Sequence, residues 1–219
     1  MTKKRALLLL GGMWHDFDGF AASMRVLLEG AGWEMESSYD LDRLTCLNDQ
    51  PCDLVFHYTC FVKHAEGLDN SGPEGLNAAQ IEGLTRWVRG GGAFLSAHSA
   101  SGLGESAPGL GELTGGFFLE HPPICTFTVY PVCKSHPIIE GINAFSVYDE
   151  MYIEQYDPCV DVHMLAVEGD VAYPLVWSKT EGRGKVAHVA LGHSAAVWEL
   201  APYRQLMLQT MAWLSGEKM

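Results

Sequence analysis

Four histidines of this sequence lie at the ends of apolar runs that are typical of β-strands. His57 closes one such run, whereas His15, His98 and His193 each come shortly after one, with glycine or other small residues beside them. Imidazole nitrogens bind divalent transition metals, and they also exchange protons near neutral pH. In a parallel sheet the carboxyl ends of the strands border the ligand crevice, so we expect these three rings to lie close together.

The surroundings of His98 are the sharpest local signal. The segment Leu95–Ala100 places a reactive side chain on a tight turn between a strand and a run of small residues. This arrangement is similar to the nucleophile elbow of hydrolases, which carries a nucleophilic serine at that position. Because histidine stands there instead, the sequence argues against acyl transfer.

Two adjacent acids, Asp149 and Glu150, interrupt an apolar and aromatic stretch. Neighbouring residues of a strand face opposite ways, so only one acid can reach a site. We predict that Glu150 does so and that Asp149 is solvated or caps a turn, although two solvated turn acids remain an alternative. A carboxylate among imidazoles suits either a divalent cation or general acid–base catalysis, and no HExxH motif decides between them.

The other histidines have simpler interpretations. His57 lies inside an apolar run and is interpreted equally well as a hydrogen-bonded core residue or as a ligand. His188 alternates with apolar residues, which predicts a structural role, whereas His64 and His163 lie in polar stretches and are expected to be exposed. His136 precedes a proline, which favours extended backbone, so we expect it to hold a turn.

Strand-like and helix-like segments alternate through the first half of the chain. Asn77 and Gln80 form a capping-box pattern that predicts a helix start, and the polar segment Lys63–Leu76 before it predicts a surface loop. A strand-rich stretch follows, with a hairpin predicted at Glu181–Gly184 and a closing helix near residues 203–214. This order predicts an α/β fold, a doubly wound, mainly parallel sheet with an additional C-terminal β section, in a single domain spanning residues 1–219.

The charge balance excludes several partners. Of 219 residues, 14 are Lys or Arg and 27 are Asp or Glu, which gives a net charge of −13. Such a chain repels phosphate backbones and anionic lipids, so we expect no nucleic-acid or membrane partner.

The first apolar run is shorter than the core of a signal peptide, and the six cysteines are irregularly spaced with no CxxC pair. We therefore expect a cytoplasmic protein with free thiols.

Five segments that occur in order resemble the trehalose-utilisation ThuA-like family. They are Gly90–Ala100, Gly116–Pro123, Ser135–Gly141, Phe145–Tyr152 and Pro174–His193. The resemblance extends from Leu7 to about Leu214. It implies a fold similar to that of the class I glutamine amidotransferases, namely a flavodoxin-like three-layer α/β sheet with extra strands.

The resemblance also implies a function and a set of residues. The family is linked to the catabolism of trehalose and of oxidised (3-keto) disaccharides, and a divalent metal is associated with some members. Its recurring polar positions fall on His15, His98, His121, His136, Glu150 and His193. Amidotransferases carry cysteine at the elbow, where this chain has His98, so glutaminase activity is expected to be absent.

We therefore expect a sugar-catabolic enzyme that acts on a carbohydrate or a 3-keto sugar by isomerisation, epimerisation or hydrolysis. The predicted catalytic residues are His98, Glu150 and His193. The predicted substrate-binding residues are His15, His121, Tyr152 and Trp14, and a zinc, manganese or iron ion would be held by His15, His98 and His193. No nucleotide cofactor is expected, the partner is a small carbohydrate, and a homo-oligomer is left open. The alternatives are a non-catalytic metabolite-binding module and a metal-dependent hydrolase of another small polar substrate.

Overall fold

The structure is a computed structural model that describes residues 3–50, 52–62, 75–103 and 108–217. Most of the predicted loop Lys63–Leu76, including His64, lies outside these residues. The strands are β1 (Arg5–Gly12), β2 (Glu34–Ser38), β3 (Leu54–Cys60), β4 (Ala93–Ala97), β5 (Gly116–Glu120), β6 (Cys125–Pro131), β7 (Phe145–Asp149), β8 (Ile153–Tyr156), β9 (Asp161–Glu168), β10 (Val171–Glu181) and β11 (Gly184–Val189). The helices are α1 (Phe17–Gly30), α2 (Ala78–Arg89), α3 (Pro108–Thr114), α4 (Ala195–Trp198) and α5 (Ala201–Leu214).

Five strands form a parallel sheet with the order β2-β1-β3-β4-β11. This is the 2-1-3-4-5 order of flavodoxin-like sheets, so the predicted fold class is confirmed. Leu8 and Leu10 of β1 pack in the core that includes α1 and α5. Leu7 and Leu9, on the opposite face, pack in the core that includes α2 and α3. Two helical layers therefore cover the sheet.

The helices begin where the sequence has capping residues. The Asp16 carboxylate accepts the Gly19 N–H at the start of α1. At α2 the predicted capping box is confirmed, because Asn77 and Gln80 exchange side-chain and backbone hydrogen bonds. Capping satisfies backbone N–H groups that have no partner within the helix. These caps fix where each strand-to-helix connection ends.

Four antiparallel strands extend the sheet beyond β11 in the order β10-β9-β6-β7, and β5 pairs with β8 in a separate two-stranded sheet. The predicted hairpin at Glu181–Gly184 joins β10 to β11, with Gly182 at φ +61°. The sequence places the extra β section at the C-terminal end, yet residues 125–181 form most of it and the parallel strand β11 follows. The alternation of strand-like and helix-like segments in the sequence identifies strands, but it does not specify which strands pair with one another.

The described residues contain no helix that is long and apolar enough to cross a membrane. All six cysteines are free thiols, as predicted. The carboxyl ends of β1, β3, β4 and β11 meet at one edge of the sheet, because these strands are parallel and adjacent. This edge is where a doubly wound sheet binds ligands.

Candidate metal centre at the carboxyl edge of the sheet

A glycine turn positions His15 after β1. Gly11 and Gly12 have φ values of +154° and +102°, and the Met13 N–H donates to the Cys60 carbonyl at 2.9 Å. The His15 Nδ1 lies 3.2 Å from the Met13 carbonyl oxygen. A carbonyl only accepts, so Nδ1 carries the proton and Nε2 has a free lone pair. This Nε2 is buried and has no hydrogen-bond partner.

His98 occupies the elbow that follows β4. Its φ is +43°, a conformation that is uncommon outside glycine, and its side chain is fully buried. The Nδ1 donates to the Ala190 carbonyl oxygen at 2.7 Å, which leaves the Nε2 lone pair directed away from the sheet. The Tyr152 hydroxyl lies 3.2 Å from that Nε2. The strained turn therefore presents one nitrogen of one defined tautomer.

Asp149 holds the turn that carries His193. Its carboxylate accepts the backbone N–H groups of Gly192 and His193 at 2.8 and 3.0 Å. The Gly192 carbonyl accepts from the Tyr58 hydroxyl at 2.9 Å and from the Trp198 indole N–H at 2.6 Å. Asp149 is 1% exposed, so of its two predicted roles the solvated one is wrong. The other predicted role, capping a turn, is confirmed by its hydrogen bonds to the Gly192 and His193 N–H groups.

Glu150 lies between the imidazoles. Its Oε2 is 3.3 Å from His98 Nε2 and 3.2 Å from His193 Nδ1. The His193 Nδ1 is buried and makes no well-directed hydrogen bond, although the carboxylate lies this close. Ligand atoms of a tetrahedral zinc site, at about 2.0–2.1 Å from the ion, lie about 3.3 Å apart. These separations match those of ligands that share one cation.

The four ligand atoms of His15, His98, Glu150 and His193 lie within 4.8 Å of one another. Two observations therefore indicate that the group fits a divalent cation. One is the buried, unpartnered Nε2 of His15, and the other is the contact between His193 and Glu150 without a hydrogen bond. Backbone carbonyls also hold the Nδ1 atoms of His15 and His98, as is usual for metal-binding histidines.

Burial and mutual electrostatic interactions set the charges of the side chains in the candidate metal centre. Burial, with the nearby His98 imidazole, lowers the pKa of His15 to about 3, so that ring is neutral. Burial raises the pKa of Glu150, but the His193 and His98 imidazoles outweigh this effect and hold the pKa below its usual value. The Glu150 carboxylate in turn raises the pKa of His193. A neutral His15 and an ionised Glu150 are the forms that bind metals.

A small cavity of about 40 Å³ adjoins the centre. Phe118, His121 and Tyr152 form part of its wall, and Trp14 at its border is 43% exposed with φ +74°. The His121 Nδ1 donates to the Pro122 carbonyl at 2.7 Å, and its Nε2 lies 3.5 Å from the other oxygen of Glu150. A cleft of about 400 Å³ lies at the amino ends of β1 and β2, and its described lining contains no histidine.

A second group of potential ligands consists of His136, Asp161 and His163. The two rings stack 4.1 Å apart at 20°, so their lone pairs are nearly parallel and do not converge. His136 Nδ1 accepts the Ile138 N–H, and Asp161 accepts from Lys134. His136 therefore holds a turn. His163 is fully buried, so its predicted exposure is wrong. The polar residues beside His163 in the sequence gave no indication that its ring is buried.

Of the recurring polar positions singled out in the sequence, the structure brings all but His136 together at one place, and His136 lies in the second group. His15, His98, Glu150 and His193 form the candidate metal centre, and His121, Tyr152 and Trp14 lie around the adjoining cavity. His57 belongs to neither group, because it is fully buried beside Phe94 with no hydrogen bond at either nitrogen.

A family model described as trehalose utilisation matches residues 21–214, most of the chain. The chain belongs to the ThuA family. The resemblance seen in the sequence is thereby confirmed, and the family relates the chain to trehalose utilisation. A search of curated proteins finds no relative that matches.

Solved structures show the same fold. The crystal structure of a ThuA-like protein from Parabacteroides merdae has a TM-score of 0.78 at 15% identity, over 99% of this chain and 91% of that one. A ThuA-like protein from Bacteroides uniformis gives 0.73 at 14% identity, over 96% and 91%. A β-galactosidase from Bacillus circulans gives 0.63 at 12% identity, over 99% of this chain but 31% of that one. At such identities these likenesses concern the fold alone.

Proposed function

We propose that this ThuA-family chain is a sugar-catabolic enzyme that acts on a carbohydrate or an oxidised (3-keto) sugar at a centre built for a divalent cation. The observation that supports this most directly is the convergence of four ligand atoms within 4.8 Å. His15 Nε2, His98 Nε2, His193 Nδ1 and Glu150 Oε2 would hold the ion. A bound zinc, manganese or iron ion would polarise a carbonyl or hydroxyl oxygen of the substrate and acidify a water molecule.

The proton-moving groups of the proposed enzyme are His121 and Glu150. The Pro122 carbonyl holds the His121 tautomer, so the lone pair on Nε2 is directed towards the cavity. This Nε2 takes a proton from the substrate or from water, and the neighbouring Glu150 Oε1, 3.5 Å away, stabilises the imidazolium that forms. The Oε2 of the same carboxylate remains for the ion.

Tyr152 is the proposed hydrogen-bond donor. Burial raises its pKa well above the usual value, so its hydroxyl keeps its proton. The hydroxyl donates to His98 Nε2 in the structure. When that nitrogen holds an ion, the hydroxyl is free to donate to a substrate oxygen.

The walls of the cavity favour a neutral substrate. Phe118 and the half-exposed Trp14 offer aromatic surface of the kind that packs on the C–H face of a sugar ring, whereas the Tyr152 ring is buried against His98 and Phe118. Among the described lining residues there is no lysine or arginine to bind a phosphate or carboxylate group. The chemistry of this lining favours a neutral sugar or keto sugar over an acidic metabolite or a nucleotide.

The elbow argues against glutaminase chemistry. His98 stands at the position where the related fold carries a cysteine nucleophile, and its Nδ1 is already bonded to the Ala190 carbonyl. We therefore expect no ammonia to be released from glutamine.

Metal analysis of protein purified without an affinity tag tests the proposal. We expect about one zinc, manganese or iron ion per chain, lost in His98→Ala and His193→Ala, with turnover on a panel of 3-keto and parent disaccharides reduced about a hundredfold or more. His136→Ala is the matched control, because His136 belongs to the group whose lone pairs do not converge. Metal content that is unchanged in the first two variants, or no turnover by the wild-type chain, would contradict the proposal.

A further inference from the structure

Three buried polar side chains form a connected row beneath the metal centre. The His188 Nδ1 lies 3.0 Å from Ser96 Oγ, and its Nε2 lies 3.1 Å from Glu154 Oε2. Ser96 and His188 are fully buried, and the Glu154 side chain is 1% exposed. Burying a carboxylate and an imidazole is costly unless they pair. Glu154 Oε2 pairs with His188, whereas its buried Oε1 has no hydrogen-bond partner, so the His188 contact is what holds this carboxylate in place.

Each member of the row lies on a strand that closely precedes or follows a residue of the centre in the chain. Ser96 is on β4, two residues before His98. His188 is on β11, five residues before His193. Glu154 is on β8, four residues after Glu150 and two after Tyr152. The row therefore connects the three chain segments that carry three of the four ligands.

The Glu154–His188 pair also joins two sheets. β4 and β11 are neighbours in the nine-stranded sheet, where Ser96 and His188 face each other. β8 belongs to the two-stranded sheet with β5, and His121 follows β5 directly. Backbone hydrogen bonds fix the β4–β11 spacing, but between the two sheets the spacing depends on side-chain contacts such as this 3.1 Å hydrogen bond. Asp149 anchors the chain beside Glu150 to the His193 turn within the nine-stranded sheet, and the Glu154–His188 contact holds the same segment from the β8 side.

A serine, a histidine and a glutamate are also the residue types of a hydrolase triad. Ser96, however, lies within a strand with no exposed surface, and the described lining of the cavity does not include it. No substrate carbonyl can reach its hydroxyl. The row therefore acts through the position of the ligands and not as a nucleophile.

We propose that Ser96, His188 and Glu154 are positioning residues that set the spacing of the imidazole ligands from Glu150. This inference rests on the proposed metal centre. It predicts that weakening the row changes metal affinity and ligand geometry, although no member of the row contacts the ion.

Ser96→Ala is the primary test, and Ser178→Ala is its matched control. Each substitution removes one buried serine–histidine hydrogen bond, Ser96–His188 at 3.0 Å or Ser178–His163 at 2.7 Å, and both serines are at most 2% exposed. Zn²⁺ affinity is measured by competition with a chromophoric chelator, and ligand geometry by the visible spectrum of the Co²⁺-loaded protein. We expect Ser96→Ala to weaken Zn²⁺ binding about tenfold and to shift the Co²⁺ bands. Ser178→Ala should change neither, although both variants lose similar stability.

Glu154→Gln and Glu154→Ala provide a second test, which leaves strand β4 and the His98 elbow unchanged. The amide of Glu154→Gln preserves a hydrogen bond to His188, so it should retain more Zn²⁺ affinity than Glu154→Ala. Wild-type Zn²⁺ affinity and an unshifted Co²⁺ spectrum in both Ser96→Ala and Glu154→Ala would overturn the inference. If the wild-type chain itself binds no stoichiometric Zn²⁺ or Co²⁺, the proposed metal centre fails first, and the inference is overturned with it.

Discussion

The contacts of individual ring nitrogens separate the histidines by role. In His15, His98 and His121 a backbone carbonyl accepts from Nδ1, so each presents Nε2 to the site. In His188 both nitrogens have side-chain partners inside the protein, whereas in His57 neither nitrogen has one. A residue type that appears uniform in sequence thus divides into residues that face the candidate site, a structural link and a core residue with no hydrogen-bond partner.

The pH dependence of stability should depend on His57. Burial lowers its pKa to about 3, while an imidazole in the unfolded chain has a pKa of about 6.5. Between these values the unfolded chain binds a proton that the folded chain does not, so stability is full above about pH 6.5 and falls as the pH drops. At pH 5 this one group accounts for a loss of up to about 2 kcal/mol.

The measurement is urea unfolding at pH 7 and pH 5 in the presence of a chelator, for the wild type and His57→Leu. Leucine is apolar and of similar size, so the variant should be at least as stable at pH 7 and should lose less stability at pH 5. An equal loss in the two proteins would show that His57 does not titrate in this way.

At the scale of elements, the connections after the strands do most to build the site. The turn after β1 uses Gly11 and Gly12, the elbow after β4 uses a positive φ at His98, and the turn after β11 uses Gly192 at φ +125°. Each is a strained or glycine-dependent geometry at the carboxyl edge. Such strain is retained where it positions functional groups.

Gly12→Ala should damage the metal centre, whereas Gly32→Ala should not. Both glycines have positive φ, +102° and +86°, so each substitution carries a backbone cost of about 1–2 kcal/mol. A Cβ at Gly12 would also overlap the Cys60 carbonyl oxygen, while a Cβ at Gly32 meets nothing within 4 Å. Gly12→Ala must therefore shift the turn that carries His15.

We expect Gly12→Ala to lose several kcal/mol of unfolding free energy and most of its bound metal, as measured by urea unfolding and metal analysis. Gly32→Ala should lose only the backbone cost and keep its metal. Equal metal content in the two variants would mean that the β1–α1 turn does not control the position of His15.

At the scale of the whole molecule, metal binding and folding should be coupled. The candidate ligands come from the ends of β1, β4, β7 and β11, which are separated along the chain and meet only in the folded sheet. An ion bound there stabilises the folded state without binding the unfolded chain comparably.

Zn²⁺ at a hundred times its dissociation constant should stabilise the fold by about 2.7 kcal/mol, which corresponds to a rise in Tm of about 5–10 °C for a chain of this size. Thermal unfolding followed by circular dichroism, with Zn²⁺ and with a chelator, measures the difference. His98→Ala should show no such rise. A rise of the same size in that variant would place the bound ion elsewhere.

Much of the architecture follows from local pattern. The apolar run at β1, the capping box at Asn77 and the glycine hairpin at residue 182 depend on neighbouring residues, and the predictions made from them agree with the structure. The pairing of β6, β7, β9 and β10 was not predictable in the same way, because which strands become neighbours depends on contacts distant in sequence.

The sequence by itself determined the fold class, the family and the set of residues able to do chemistry, because strand ends, glycine turns and family motifs are local in the chain. Only the tertiary structure decided how those residues are used. It placed Glu150 against two imidazoles, turned Asp149 inward to hold the His193 turn, and buried His163, which sequence polarity had predicted to be exposed. The physical reason is that burial and ligand distances arise from the packing of distant strands, which no single segment of the chain specifies.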